Sequence, residues 1–194
     1  MSDVSKVRQW VEDLKEEMFA LVTDVDTYWR LQKNIIQRNP RLASMRSPFF
    51  EMLNSAYISA TTSALRRLAE KQNRDRTNVS LRIIVEYVRA KPADFDQLLG
   101  TTADDDIRLL DEIERNIKDF ADRRIAHRDR RGLSSPLPRY GQVRKGVADL
   151  AEIFRKYHCS LEGSDLELKI FYIEDFDIFT FAWIEPGREN GSIS

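Results

Sequence analysis

The stretch VRQWVEDLKEEMFALVTDVDTY, residues 7–28, decides the fold class. Its apolar members Val7, Val11, Leu14, Met18, Leu21, Val25 and Tyr28 recur at alternating steps of four and three, which draws one continuous stripe along an α-helix. The spacing predicts a helix over residues 4–37, ended ahead of Asn39-Pro40 because proline disfavours helical geometry in the residue before it. Ser47-Pro48 is a start signal, with serine as N-cap and proline at the first helical position. Phe49, Phe50, Leu53, Tyr57, Ala60, Ala64 and Leu68 then form a second long stripe. The small residues crowding it, Ser55 to Ala64, predict a close approach to another helix.

Working outward, Gln72 to Asn78 reads as a polar loop, and Ser80 opens a shorter helix with Leu81, Ile84, Val85 and Val88 inward. Lys91-Pro92 ends it, and Phe95, Leu98 and Leu99 suggest one more short helical turn. Gly100 and Asp104-Asp105-Asp106 read as a boundary, the carboxylates sitting where the positive end of the next helix dipole favours them. Ile107, Leu110, Ile113, Ile117 and Phe120 continue the pattern, and the same phase carries on to Arg124 and His127. That predicts a central helix over 104–127. Gly132 to Pro138 is a loop, and Val143, Val147, Leu150, Ile153, Phe154 and Tyr157 mark the last bundle helix. After Gly163 the period falls to two at Leu166, Leu168, Ile170 and Tyr172, and Phe176 to Trp183 follow an acidic break at Glu174-Asp175. The expected architecture is all-α: an antiparallel helical bundle over 1–160, an apolar strand, hairpin or extended appendage over 161–185, and a flexible tail over 186–194. The appendage is too apolar to hang free and must fold back on the bundle or meet a second subunit.

At 194 residues, with 42% hydrophobic and 32% charged residues, the chain has the composition of a soluble globular protein. A net charge of −1 gives no global attraction to nucleic acid, so such contact must be local. The dense basic patch is the 123–131 run, with Arg139, Arg144 and Lys145 beyond it. The single cysteine, Cys159, precludes an intramolecular disulfide framework. No signal-peptide layout and no membrane-spanning apolar run is present, which predicts a cytoplasmic protein without a membrane partner.

Glycine-rich phosphate loops, Cys-x-x-Cys, His-Glu-x-x-His and Gly-x-Ser-x-Gly are all missing, so kinase-like, zinc-dependent and serine-hydrolase readings lose their support. Asp104-Asp105-Asp106 fits a solvated helix start better than a metal site, and His158-Cys159 is too slight a pairing to define one. No metal and no cofactor is therefore expected. The run Asp122-Arg123-Arg124-Ile125-Ala126-His127-Arg128-Asp129-Arg130-Arg131 carries the chemistry. Arg123 stands four residues and Arg124 three residues before His127, so one helical face presents an imidazole beside a guanidinium. Arginine holds phosphate charge and histidine exchanges protons near neutrality, which suits phosphodiester chemistry. Arg128, Arg130 and Arg131 are phosphate- or RNA-binding candidates, although a solvated basic face explains them equally well. It does not explain a histidine in the apolar phase of its helix.

Ile125-Ala126-His127-Arg128-Asp129 at the end of a long helix, after Asp122-Arg123-Arg124, resembles the motif segment of HEPN domains, specifically their abortive-infection (AbiU-like) branch. Ser47-Pro48-Phe49-Phe50, Arg67-Leu68 and Asn78-Val79-Ser80-Leu81 are similar to that branch in order and spacing, so the resemblance covers most of residues 1–160. It implies a helical bundle whose motif-bearing helices pair across a homodimer, with an antitoxin or other defence protein as a further partner. It also implies RNA cleavage without metal, an arginine and a histidine activating the 2′-hydroxyl. His127, Arg124 and Arg123 would be the catalytic residues. The family's arginine, six residues before the histidine, falls here on Ala121, and the polar residue after it on Asp122. Two readings follow: a ribonuclease in which Arg123 or Arg124 serves instead, and a catalytically silent interaction or nucleotide-binding module in which Asp122, His127 and Asp129 are structural.

Overall fold

The structure is a computed structural model that describes residues 2–38, 48–71, 79–120, 140–166 and 168. Five α-helices carry these residues: α1 Asp3–Arg38, α2 Pro48–Ala69, α3 Leu81–Ala90, α4 Gln97–Phe120 and α5 Tyr140–Glu162. A 3-10 turn at Pro92–Asp94 links α3 to α4. The molecule is a helical bundle, with no strand among the described residues. None of these helices is long and apolar enough to cross a membrane.

α1 forms as its periodicity requires, and all seven residues of the opening stripe are buried. Cross-helix pairs fix the register. Arg8 meets Glu162 at 3.1 Å while Tyr28 stacks on Tyr140, so α1 and α5 run antiparallel. Lys156 reaches Asp106, and Lys145 reaches Glu112, which makes α4 and α5 antiparallel as well. α2, α3 and α5 each pack on both α1 and α4. α2 and α5 meet at Gly146, where a β-carbon would stand 3.4 Å from the Leu65 side chain.

Ser80 caps α3 as expected, its hydroxyl accepting from the Ile83 N–H. Gly163 ends α5 in the left-handed region, with φ 67°, and donates to the Cys159 carbonyl at 2.9 Å. Leu166 and Leu168 then pack against the core. The expected hairpin beyond 168 and the 186–194 tail lie outside the described residues.

Three expectations change. Gly100 and Asp104-Asp105-Asp106 are no boundary, and Leu98-Leu99 is no separate turn, because α4 already begins at Gln97. Asp96 accepts from the Leu98 N–H at 3.2 Å in the manner of an N-cap, and Gly100 lies against Pro92, where a β-carbon would come within 3.2 Å. In α2 the inward face is Tyr57, Ile58, Thr61, Thr62, Leu65 and Leu68, while Ala60 is exposed. The small residues Ala56, Ala60 and Ala64 therefore leave open a groove of about 390 Å³ against α1 instead of a tight helix contact.

Candidate functional site

His127, Arg123, Arg124, Asp122, Arg128, Asp129, Arg130, Arg131 and Ala121 lie outside the described residues. Phe120, the last residue of α4, and Tyr140, the first of α5, flank them in sequence and lie at the same end of the bundle. That end is built from aromatic rings. Tyr28 of α1 and Tyr57 of α2 stack with centroids 3.6 Å apart, and Tyr140 lies parallel to both at 6.1 and 6.4 Å. Trp29 meets Tyr140 edge to face at 6.3 Å, and the Arg144 guanidinium stands 5.3 Å from the Trp29 ring centroid.

Amides close the inner side of this stack. Gln32 donates to the Tyr28 hydroxyl at 2.6 Å, and Tyr28 donates to Asn54 Oδ1 at 2.7 Å. Burial pushes the Tyr28 hydroxyl far above the usual phenol range, and burial raises Tyr57 too, so both stay protonated and neutral. Arg144 supplies a cation to the cluster, and Lys33 stands one turn beyond Trp29 on α1. Arg144 and Lys33 are exposed and neither forms an ion pair among the described residues. Lys145, grouped with Arg144 from sequence, is different: it is paired with Asp149 at 2.6 Å, which raises its pKa. Arg139 lies outside the described residues. Sequence reasoning did not single out Trp29, Tyr140 or Lys33. The usable signal was an aromatic residue four positions before a cation on each of two helices.

Two other polar groups are buried. Arg82, 1% exposed, donates through Nε to the Ala69 carbonyl and through Nη2 to Asp111 at 2.5 Å, tying α2 and α3 to α4. Asp106, 3% exposed, is paired with Lys156 at 2.5 Å, so this member of the acidic run is a core residue and not part of a solvated helix start. The Tyr157 hydroxyl is buried beside it, and burial raises its pKa well above the phenol range, with the Asp106 charge adding to the effect. His158 is buried against Phe154, and Cys159 Sγ lies 3.5 Å from Asp165. Among the described residues no three His, Cys, Asp or Glu side chains gather as a metal site would need.

The described residues form a helical bundle, and the arginine- and histidine-bearing segment lies in sequence between its last two described helices. The family model HEPN_AbiU2, described as AbiU2, matches residues 5–179, and the chain belongs to that family. No curated protein and no solved structure matches it.

Proposed function

We propose that this chain is a metal-independent endoribonuclease of a bacterial phage-defence or toxin–antitoxin system. The observation that carries the reading is His127, with Arg123 and Arg124 ahead of it, in a chain of the AbiU2 family. His127 exchanges the proton of the attacking 2′-hydroxyl or of the leaving oxygen, and Arg124 or Arg123 holds the phosphate whose charge grows in the transition state. Arg128, Arg130 and Arg131 draw in RNA. The active form is a homodimer in which two such segments face one cleft, because an arginine and a histidine in the apolar phase stay solvated in a wet cleft and not in a monomer core.

Ala121 favours a second reading, a silent interaction or nucleotide-binding module in which Asp122 and Asp129 hold the helix end. Cleavage decides between them. Purified protein should cut single-stranded RNA in chelator and leave a 2′,3′-cyclic phosphate. His127→Ala should slow cleavage by about a hundred- to ten-thousand-fold, and Arg124→Ala should cost more than Arg131→Ala. Wild type and His127→Ala equally inactive on RNA and equally harmless in cells would sink the enzyme reading. Sedimentation as a monomer at micromolar concentration would sink the dimer.

A further inference from the structure

We propose that Trp29, Lys33, Tyr140 and Arg144 form a docking platform for single-stranded RNA beside the motif segment, stacking a base on the rings and holding phosphates with the two cations. The inference rests on the ribonuclease reading for its choice of ligand, and on four features of the structure for its place.

Trp29 and Lys33 stand four residues apart on α1, and so do Tyr140 and Arg144 on α5, so each helix presents a ring and a cation on one face. The antiparallel register brings the α5 pair to Trp29, with Trp29 edge-on to Tyr140 and Arg144 over the Trp29 ring, and Lys33 follows one turn further along α1. Both rings are partly exposed, and both cations are exposed with no ion pair among the described residues. The platform stands at the end of the bundle that carries Phe120 and Tyr140, the described residues that flank the His127 segment in sequence.

The opposite end of the molecule provides the contrast. There Trp10 and Tyr87 meet edge to face, with Lys6 and Lys91 over their rings. Asp3 closes that cluster: it pairs with Lys91 at 2.7 Å and accepts from the Tyr87 hydroxyl. One of the two cations, Lys91, is thus paired with a carboxylate at that end, whereas among the described residues neither Arg144 nor Lys33 has one. Interleaved rings and open cations suit single strands, since every base has a face to stack and every nucleotide brings a phosphate.

The test measures binding apart from cleavage. Fluorescence anisotropy of a labelled single-stranded RNA is recorded in chelator with the His127→Ala protein as reference, while cleavage is followed with the wild type. Lys33→Gln and Arg144→Gln, both at exposed positions, should each weaken binding and together lower the slope of log affinity against log salt by about 1.4, or 0.7 for each phosphate no longer neutralised. Trp29→Leu should weaken it about five- to 150-fold, with circular dichroism checking that the helices persist. An oligonucleotide abasic at successive positions should bind less tightly than the native one. Unchanged affinity and salt slope in the two cation variants would overturn the platform, and so would equal binding of the abasic strand or a preference for duplex. Wild-type cleavage persisting alongside any of these results would leave the ribonuclease reading standing. Absence of both binding and cleavage would overturn both.

Discussion

Arg82 offers the most direct check on how this bundle is held. Its guanidinium is 1% exposed and donates to the carbonyl of Ala69, the last residue of α2, and to Asp111 on α4. Glu86 and Glu114 stand at 3.6 Å. The three carboxylates are not equally committed: side-chain exposure is 51% for Asp111, 35% for Glu86 and 23% for Glu114, so each can recover water if the arginine leaves. The Ala69 carbonyl belongs to a fully buried residue and has less access to water. Most of the loss on removing Arg82 should therefore arise at that carbonyl and in the vacated space, and little from the ion pairs. A charged hydrogen bond contributes about 1.5–3 kcal/mol. Two buried methylenes add about 1.6 kcal/mol at 0.8 kcal/mol each. Arg82→Ala should then destabilise by about 3–5 kcal/mol, the range found when one partner of a buried pair is removed. Arg82→Met, which keeps the stem, should lose about 2–3 kcal/mol. Asp111→Ala should cost less than about 1 kcal/mol, as half-exposed pairs do.

Urea unfolding followed by circular dichroism measures all three, and a thermal melt should place Arg82→Ala roughly 6–20 °C below wild type at about 2–4 °C per kcal/mol for a chain of this size. Asp111→Ala as damaging as Arg82→Ala would refute the reasoning, because the ion pair would then be the dominant contact. A loss under about 1 kcal/mol for Arg82→Ala would refute it too, by showing that the buried carbonyl is satisfied without the arginine.

Alkaline stability should fall steeply. Tyr28, Tyr57 and Tyr157 have hydroxyl pKa values raised in the fold above the ordinary value of 10.0. Above about pH 10 the unfolded chain releases these protons while the folded one keeps them, so unfolding free energy drops by up to about 4 kcal/mol per pH unit for three groups. Tyrosinate absorbance should rise together with loss of helix, and Tyr157→Phe should flatten the slope by about a third; unchanged stability to about pH 11 would contradict the burial. Two glycines should respond with opposite sign. Gly163→Ala should destabilise by about 1 kcal/mol because only the left-handed backbone is at issue there, whereas Gly141→Ala, in the first turn of α5 with open space around it, should stabilise by up to about 1 kcal/mol. Denaturant midpoints for the pair check both signs.

The sequence is legible where one helix supplies its own signal. The α1 stripe, Pro48 at the start of α2, Ser80 capping α3 and Gly163 closing α5 are local patterns whose physical cause lies within a turn or two of chain. The misreadings share another cause. Asp106 looks like a helix-start carboxylate until Lys156, fifty residues on, is seen to reach it, and Gly100 looks like a breaker until Pro92 is found against it. In α2, alanine and threonine differ so little in hydropathy that periodicity could not tell that Thr61 and Thr62 turn inward while Ala60 turns out. The candidate site divides the same way. His127 and its arginines are grouped by spacing in the sequence alone, whereas Trp29 and Arg144 become neighbours only through the register of α1 against α5. That register is not set by the patch itself. The buried stripe from Val7 to Tyr28 must lie on the α5 face running from Val143 to Leu161, and sliding one helix by a turn would part Arg8 from Glu162 as well as Arg144 from Trp29. The core therefore fixes the platform's geometry, and its exposed members are left free to be chosen for what they bind.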